Sequence, residues 1–402
     1  MVLRRVIDRL QGDRVIWMVA VFLSFFSVVA VYSGISTLAY KAEGNSLKFL
    51  LKHGFMITAG FALMFVVHRI HFKYFPKFSA LLIWVAGLLL ALTFFVGANI
   101  NDAGRWLDIP GTGLTFQPSD LAKIVLVVYV ARLLHQKREV LHDFRQGVVP
   151  VLIPIGIICA LILPSNFSTA FLLALVCFVM MFIAGVPPRH LLKLVGMGVG
   201  MILLVIAVGE LAPEGTLPRY ETWKNRIFNK VEDNDDGNYQ IDIAKYAIAE
   251  GGLLPSMPGS GSSRNFLPHP YSDMIYAWII EEMGSIVGGI GILLLYIILL
   301  FRSVRVAAKC QKFYGSLIVV GLSVMLVLQA MVNMAVAVDL FPTTGQPLPL
   351  VSLGGTSTIF SCLAIGLILS VSRMVYNPEL FVQHEADAAE DNQENELSPA
   401  TS

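Results

Sequence analysis

A carboxylate at the edge of hydrocarbon is costly. The stretch "NFLPHPYSDMIYAWIIEEMG" (265–284) puts Asp273 at such an edge, where a polar, proline-broken segment turns apolar. Partial desolvation raises a carboxylate's pKa toward the range of a useful general base. The same position suits a helix N-cap, because Ser272 and Asp273 precede the apolar run. The two roles are compatible, and the residues alone leave both open. Glu281 and Glu282 follow about two turns later, roughly 12 Å deeper along a helix. One of them is positioned for a buried partner, and a polar helix–helix contact accounts for them equally well.

A second set of charges opens "FQPSDLAKIVLVVYVARLL" (116–134). Pro118 and Ser119 mark a helix start, and Asp120 suits its first turn. Lys123 stands three residues on. It either makes a local ion pair with Asp120 or faces an internal cavity and pairs with a carboxylate of another span. Asp273 is the nominee for that partner, since both residues begin apolar stretches from the same side. Arg105, Arg219, Arg226 and Arg264, with Lys224 and Lys230, lie in the connections on that side. The planar fork of arginine suits phosphate, and the "GSGSS" run beside Arg264 suits a backbone nest for a diphosphate. A solvated loop is the plainer reading of both.

These groups need elements to hold them. Of 402 residues, 56% are hydrophobic and only 14% charged, against roughly 25% charged in a soluble domain. This composition predicts an all-α integral membrane protein of about ten transmembrane helices. Stretches near the roughly 20 residues that cross a bilayer fall at 15–37, 48–68, 78–98, 118–135, 147–164, 167–187, 190–211, 273–301, 315–340 and 350–375. Basic clusters sit on every second connection: Arg4 to Arg14, Arg69 to Lys77, Arg132 to Arg145, Arg189 with Lys193, and Arg302 to Lys312. By the positive-inside rule both termini are cytoplasmic. One large extracytoplasmic loop, 212–272, then joins the seventh and eighth helices. The single membrane domain runs over 1–376, and 377–402 is an acidic, disordered cytoplasmic tail.

The basic, then apolar N-terminus is read as a retained first span rather than a cleaved signal. Cys159, Cys177, Cys310 and Cys362 have no CxxC spacing, which points to neither zinc nor a disulfide framework. No internal repeat is visible, which counts against a transporter built from inverted halves.

Four motifs follow in order: "RWLDIPGTGLTFQPSDLAK", "DGNYQIDIAKYAIAEGG", "NFLPHPYSDMIYAWIIEEMG" and "VNMAVAVDLFPTTGQPLPLVSLGGTS". Together they resemble the SEDS family (shape, elongation, division and sporulation proteins), over essentially the whole chain from first span to last. The resemblance implies a peptidoglycan glycosyltransferase that polymerises lipid II at the outer face of the bacterial cytoplasmic membrane. It implies lipid II as substrate, a class B penicillin-binding protein transpeptidase and other divisome membrane proteins as partners, and no nucleic acid.

Asp273 matches the family's essential aspartate, and Lys123 the lysine expected to face it; both are assigned to catalysis. Substrate binding falls to Arg105, Gln117, Arg226, Gln240, Arg264, Ser352 and Gly354. No metal ligand is implied, and a divalent cation (Mg or Mn) is allowed at a site the motifs do not locate. In this reading Asp273 takes the proton of the acceptor 4-hydroxyl, while Lys123, Arg226 and Arg264 stabilise the leaving diphosphate.

The chain also departs from the family pattern. Asp120 stands where the family has a glutamate, Arg264 where it has a lysine, and Asn166 and Ser168 where it has an aspartate and a glycine. Leu350 in "PLPLVSLGG" favours the division branch, with the elongation branch as the alternative. Outside polymerisation the alternatives are a lipid II flippase and a non-catalytic scaffold.

Overall fold

The computed structural model describes residues 11–33, 46–96, 98–100, 103–109, 114–211, 236–255, 261, 274–353, 355–377 and 379. Twelve α-helices carry this part of the chain: α1 (Arg14–Ser33), α2 (Ser46–Arg69), α3 (Phe75–Val96), α4 (Pro118–Gln136), α5 (Val149–Ile162), α6 (Phe167–Ile183), α7 (Pro188–Leu211), α8 (Asp236–Glu250), α9 (Ile275–Met283), α10 (Gly291–Lys309), α11 (Phe313–Ala337) and α12 (Thr356–Tyr376). Each of the ten expected spans coincides with a helix, α9 and α10 together forming the eighth. Seven described stretches are long and apolar enough to cross a membrane by length and composition alone. The α6 helix is apolar but shorter, and α4 carries Asp120, Lys123 and Arg132 within its length.

Among these spans α11 and α12 are the most buried. The α2 helix packs along α12, and α4 packs against α3 and α11. Apolar side chains on the outer helices face outward instead, among them Trp84, Leu88, Leu192 and Met201. Exposed apolar surface on this scale suits hydrocarbon as the surrounding solvent.

Polar residues start the helices for physical reasons. Asp13 caps α1: its Oδ1 accepts the N–H of Val15 at 2.8 Å and of Ile16 at 3.4 Å. Its Oδ2 accepts from Arg302 Nε at 2.9 Å and Nη2 at 2.6 Å, and from the Tyr376 hydroxyl at 3.3 Å. Its own N–H donates to Ser372 Oγ at 2.8 Å. One carboxylate therefore ties α1, α10 and α12 together at one end of the bundle. At the start of α5, Asp143 accepts from the N–H groups of Gln146 and Arg145, and these bonds hold its pKa below the usual carboxylate value. Pro154 lies inside α5, which membrane helices tolerate when neighbours absorb the lost bond.

The sequence predicts no strands, yet three short segments form a small antiparallel sheet: β1 (Ala98–Ile100), β2 (Ala103–Ile109) and β3 (Leu114–Phe116). Ala98 pairs with Trp106 and Leu107 with Phe116, with a register shift between Ala98 and Asn99. The β3 strand runs into Gln117, the N-cap of α4. The sheet thus aims the first turn of α4.

The eighth span is broken. A wide π turn, Gly284–Ile290, separates α9 from α10, and Gly284 takes φ 71°, a left-handed conformation that only glycine adopts cheaply. The chain leaving α8 fills the break. Ser285 N–H donates to Gly252 O at 3.0 Å, Ile286 N–H to Leu253 O at 3.2 Å, and Ser285 Oγ to Gly252 O at 2.8 Å. The C-terminal end of α8 lies so close to α9 that a Cβ on Gly251 would stand 2.3 Å from Ile280 O.

Lys245 of α8 adds a second tie, 2.7 Å from Asp339 Oδ2 just beyond α11. The hydrogen bond to Asp339 raises the lysine pKa above its ordinary value. The contribution of this bridge is complete below the ordinary lysine pKa and is lost as pH rises through the raised one. Both groups are partly exposed, so it is worth at most about 1 kcal/mol.

Two predictions follow from this docking. Gly251→Ala should cost about 1–3 kcal/mol and expose α8 to protease, while Gly87→Ala, where a Cβ meets nothing within 4 Å, should be neutral or slightly stabilising in thermal unfolding in detergent. Protease protection of α8 should stay flat through neutral pH and fall only above the ordinary lysine range. In Asp339→Asn that alkaline step should disappear.

Candidate active site

The first turn of α4, the last turns of α11, the start of α12 and the segment 338–355 meet at one end of the bundle. Lys123 is 5% exposed and Asp120 3%. Lys123 Nζ lies 2.8 Å from Asp120 Oδ1 and donates to Gln329 Oε1 at 3.2 Å. The local ion pair is therefore present, three residues apart on α4. It is also buried, so its charges must compensate one another. Asp120 Oδ2 has no hydrogen-bond partner among the described residues. An acceptor is thus left for a donor entering the adjoining cleft. That shallow cleft, about 240 Å³ counting space open to solvent, is lined by Asp120, Lys123, Gln329, Ser357, Phe360 and Ser361 among others.

Gln329 carries the interaction onward. While its Oε1 receives Lys123, its Nε2 donates to Pro347 O at 2.8 Å. The two bonds fix which way the amide faces, since an ammonium can only donate and a carbonyl only accept. One turn along α11, Asn333 Nδ2 donates to Gln346 O at 2.8 Å. The Gln346 amide donates in turn to the Thr169 hydroxyl, and Asn166 Oδ1 accepts the Thr169 N–H at 3.1 Å as the N-cap of α6. Asn166, where the family pattern has an acid, thus works here as a neutral helix cap.

The segment gripped by these amides is bent. Asp339 and Leu350 take φ 61° and 64°, values that L side chains rarely adopt, and Gly345 takes 64°. Such residues cost about 1–2 kcal/mol each and persist where the surroundings dictate them. The Tyr296 hydroxyl donates to Pro349 O, and Leu348 N–H donates to Ser352 Oγ at 2.8 Å.

A second shallow cleft, about 220 Å³ counting space open to solvent, lies on the Asn333 side. It is lined by Gln240 of α8, Met274, Asn333, Val336 and residues 343–346. Met274 is the residue that follows Asp273 in the chain.

The predicted site residues fare differently. Lys123 and Gln240 each line a cleft, and the two clefts adjoin one stripe of α11. Gln117 N–H donates to Thr356 Oγ1 at 3.4 Å, and its side chain donates to Ser119 Oγ at 3.0 Å, so it braces the start of α4 against α12. Ser352 is buried, and its hydroxyl holds the bent segment. Arg105 lies in β2. Asp273, Arg226, Arg264 and Gly354 lie outside the described residues.

Glu281 and Glu282 are both buried. Trp278 Nε1 donates to Glu282 Oε1 at 3.4 Å, and the Glu281 carboxyl packs against Gly261 in the Gly/Ser run. Sequence reasoning missed Gln329, Asn333, Gln346 and Thr169. The signal was there for two of them: amides four apart in the apolar "VLQAMVNMAV" share a helix face.

Among the described residues no group of three or more His, Cys, Asp or Glu could hold a metal ion. The carboxylate in the site is already paired with an ammonium, and no step below runs through a metal ion.

Lys123→Met should leave Asp120 as an uncompensated buried charge and cost about 3–5 kcal/mol. Asp120→Leu/Lys123→Met should regain most of that loss. Thermal unfolding of the three proteins in one detergent checks this.

A family profile described as a cell cycle protein, spanning FtsW, RodA and SpoVE, matches residues 13–377. The probable peptidoglycan glycosyltransferase FtsW of Geobacter metallireducens is 33% identical over 364 residues, covering 90% of this chain and 94% of that protein. Stage V sporulation protein E of Bacillus subtilis is 30% identical, covering 90% and 97%. Among solved structures, a chain of a peptidoglycan synthase complex that coordinates polymerisation and crosslinking superposes with TM-score 0.71 at 28% identity, covering 91% of this chain and 98% of that one. The rod shape determining protein RodA of Thermus thermophilus superposes with TM-score 0.59 at 27% identity, covering 88% and 96%.

Proposed function

Because this chain belongs to the family of cell cycle proteins that includes FtsW, RodA and SpoVE, we propose that it is a peptidoglycan glycosyltransferase that polymerises lipid II during cell division. The observation that carries the reading is Lys123, a buried ammonium that lines a cleft beside its partner Asp120. A charge so placed is a functional candidate, and the ligand it suits is an anion such as a diphosphate.

The reaction divides between the two clefts. The donor's polyprenyl diphosphate lies toward Lys123. Asp273, at the start of the eighth span, takes the proton from the acceptor sugar's 4-hydroxyl. That oxygen bonds to the donor's anomeric carbon as the bond from this carbon to the phosphate oxygen breaks, with inversion. The electron pair leaves with the diphosphate, and Lys123 stabilises it there. Arg105, Arg226 and Arg264 serve the same anion. The alternation of basic clusters supports an outer-face site, with both termini cytoplasmic in the cytoplasmic (inner) membrane.

A transpeptidase of the class B penicillin-binding type is the proposed partner, a reading supported by the likeness to a synthase complex that couples polymerisation and crosslinking. Leu350 and the relatives named FtsW support division. An elongation role is the second reading, favoured by the superposition on RodA.

Purified protein, alone and with its cognate transpeptidase, should convert lipid II to polymer, and folded Asp273→Ala should make none. Equal polymer from both proteins would remove Asp273 from the chemistry. No polymer from the wild type with its partner would bring lipid transport or scaffolding forward.

A further inference from the structure

The α12 helix begins at the Lys123 cleft and runs for 21 residues, so its far end lies about 30 Å away at 1.5 Å per residue. The α2 helix, packed along it, ends at the same place. Two side chains of α12 hold that end. Ser370 Oγ donates to Ile70 O at 2.5 Å, and Arg373 Nη1 donates to Arg69 O at 2.9 Å. The second bond occupies one of several guanidinium N–H groups. Arg373 Nε is buried and has no hydrogen-bond partner among the described residues. A buried donor in that condition is costly and calls for an acceptor.

Arg69 stands beside it. Its guanidinium lies 4.6 Å from the centre of the Phe65 ring, and its side chain enters no hydrogen bond or ion pair among the described residues. The two arginines act electrostatically on one another and on His68. Compensation of helix ends explains part of this charge, because two C-termini meet here and each carries about half a negative charge. Two guanidiniums exceed that sum by about one positive charge. Asp13, the buried carboxylate at this end, is committed to Arg302. Among the described residues no carboxylate pairs with Arg69 or Arg373.

The surroundings decide what kind of anion fits. Val66 and Ile70, on either side of Arg69 in the chain, are exposed, as are Tyr74 and Tyr376. On a membrane-spanning bundle such apolar surface meets acyl chains, and tyrosines gather at the level of the headgroups. We propose that the shared end of α2 and α12 binds the phosphate of an anionic phospholipid, received by Arg69 and Arg373, with the acyl chains lying along Val66 and Ile70. The planar fork of arginine suits phosphate, and basic pockets between spans are suited to anionic headgroups. This site is separate from both clefts and does not depend on the polymerase reading. Its assignment to the cytoplasmic leaflet follows from the orientation proposed above.

The test is binding. Fluorescent phosphatidylglycerol is titrated against the purified full chain in detergent, with phosphatidylcholine and inorganic phosphate as competitors. Phosphatidylglycerol should bind, and neither competitor should displace it at equal concentration. In Arg69→Gln the Kd should rise about tenfold, as expected for one charge-assisted contact. Unchanged thermal unfolding of that variant without lipid separates loss of the site from loss of the fold. Arg373→Lys keeps the charge but loses the fork, and should weaken binding as well. Arg305→Gln, which removes an exposed cation of α10, should leave the Kd unchanged. The lipid assignment is overturned if phosphatidylcholine displaces the probe equally well, or if Arg69→Gln and Arg305→Gln behave alike, which would reduce the effect to diffuse charge. Displacement by inorganic phosphate would also overturn it and leave a site for the free ion.

Discussion

A buried ammonium cannot be left alone, and much of this end of the molecule is arranged around that fact. Lys123 gains a carboxylate from its own helix and an amide oxygen from α11. Each partner is held by something else. Asp120 is fixed by the first turn of α4, which β3 delivers and Thr356 braces. Gln329 is fixed because its other end must donate to Pro347 O. The need to balance one charge therefore links α4, α11, α12 and the 338–355 segment into one frame. Apolar replacement of a buried pair is often neutral or stabilising, so stability alone does not account for this one.

The bent segment shows how local strain is carried. Asp339 and Leu350 sit in left-handed conformations. The carbonyls between them are taken by Gln329, Asn333 and Tyr296, and Lys245 reaches Asp339 from α8. These bonds come from three helices, α8, α10 and α11, so the shape of the segment depends on their being assembled. Residues 343–346 of this segment line the cleft beside Asn333, while α11 contributes lining to both clefts.

Much of this was legible in the sequence, and the reasons are physical. Hydrocarbon length sets helix length, so ten apolar stretches gave helices close to their expected bounds, and Asp120 and Lys123 stood out because charge is rare in such company. The sheet of β1, β2 and β3 was missed because its strands are short and lie in a loop where polar and apolar residues mix. The break at Gly284 is hidden in the sequence because 273–301 is apolar enough to read as one span; the replacement hydrogen bonds come from the chain after α8. Gln329 and Asn333 are neutral and carry no charge signal. Their importance lies in what they face, a backbone some fifteen residues further along the chain. The Ser352 hydroxyl accepts the Leu348 N–H, a contact that only coordinates reveal.

On the proposed function, Lys123 serves the substrate and not the fold. The direct measurement is lipid II polymerisation by Asp120→Leu/Lys123→Met, with the partner transpeptidase present and thermal stability matched to the wild type. The account predicts a folded protein that makes no glycan. Polymer at the wild-type rate from that variant would contradict it, and would reduce the ion pair to a structural feature of the bundle.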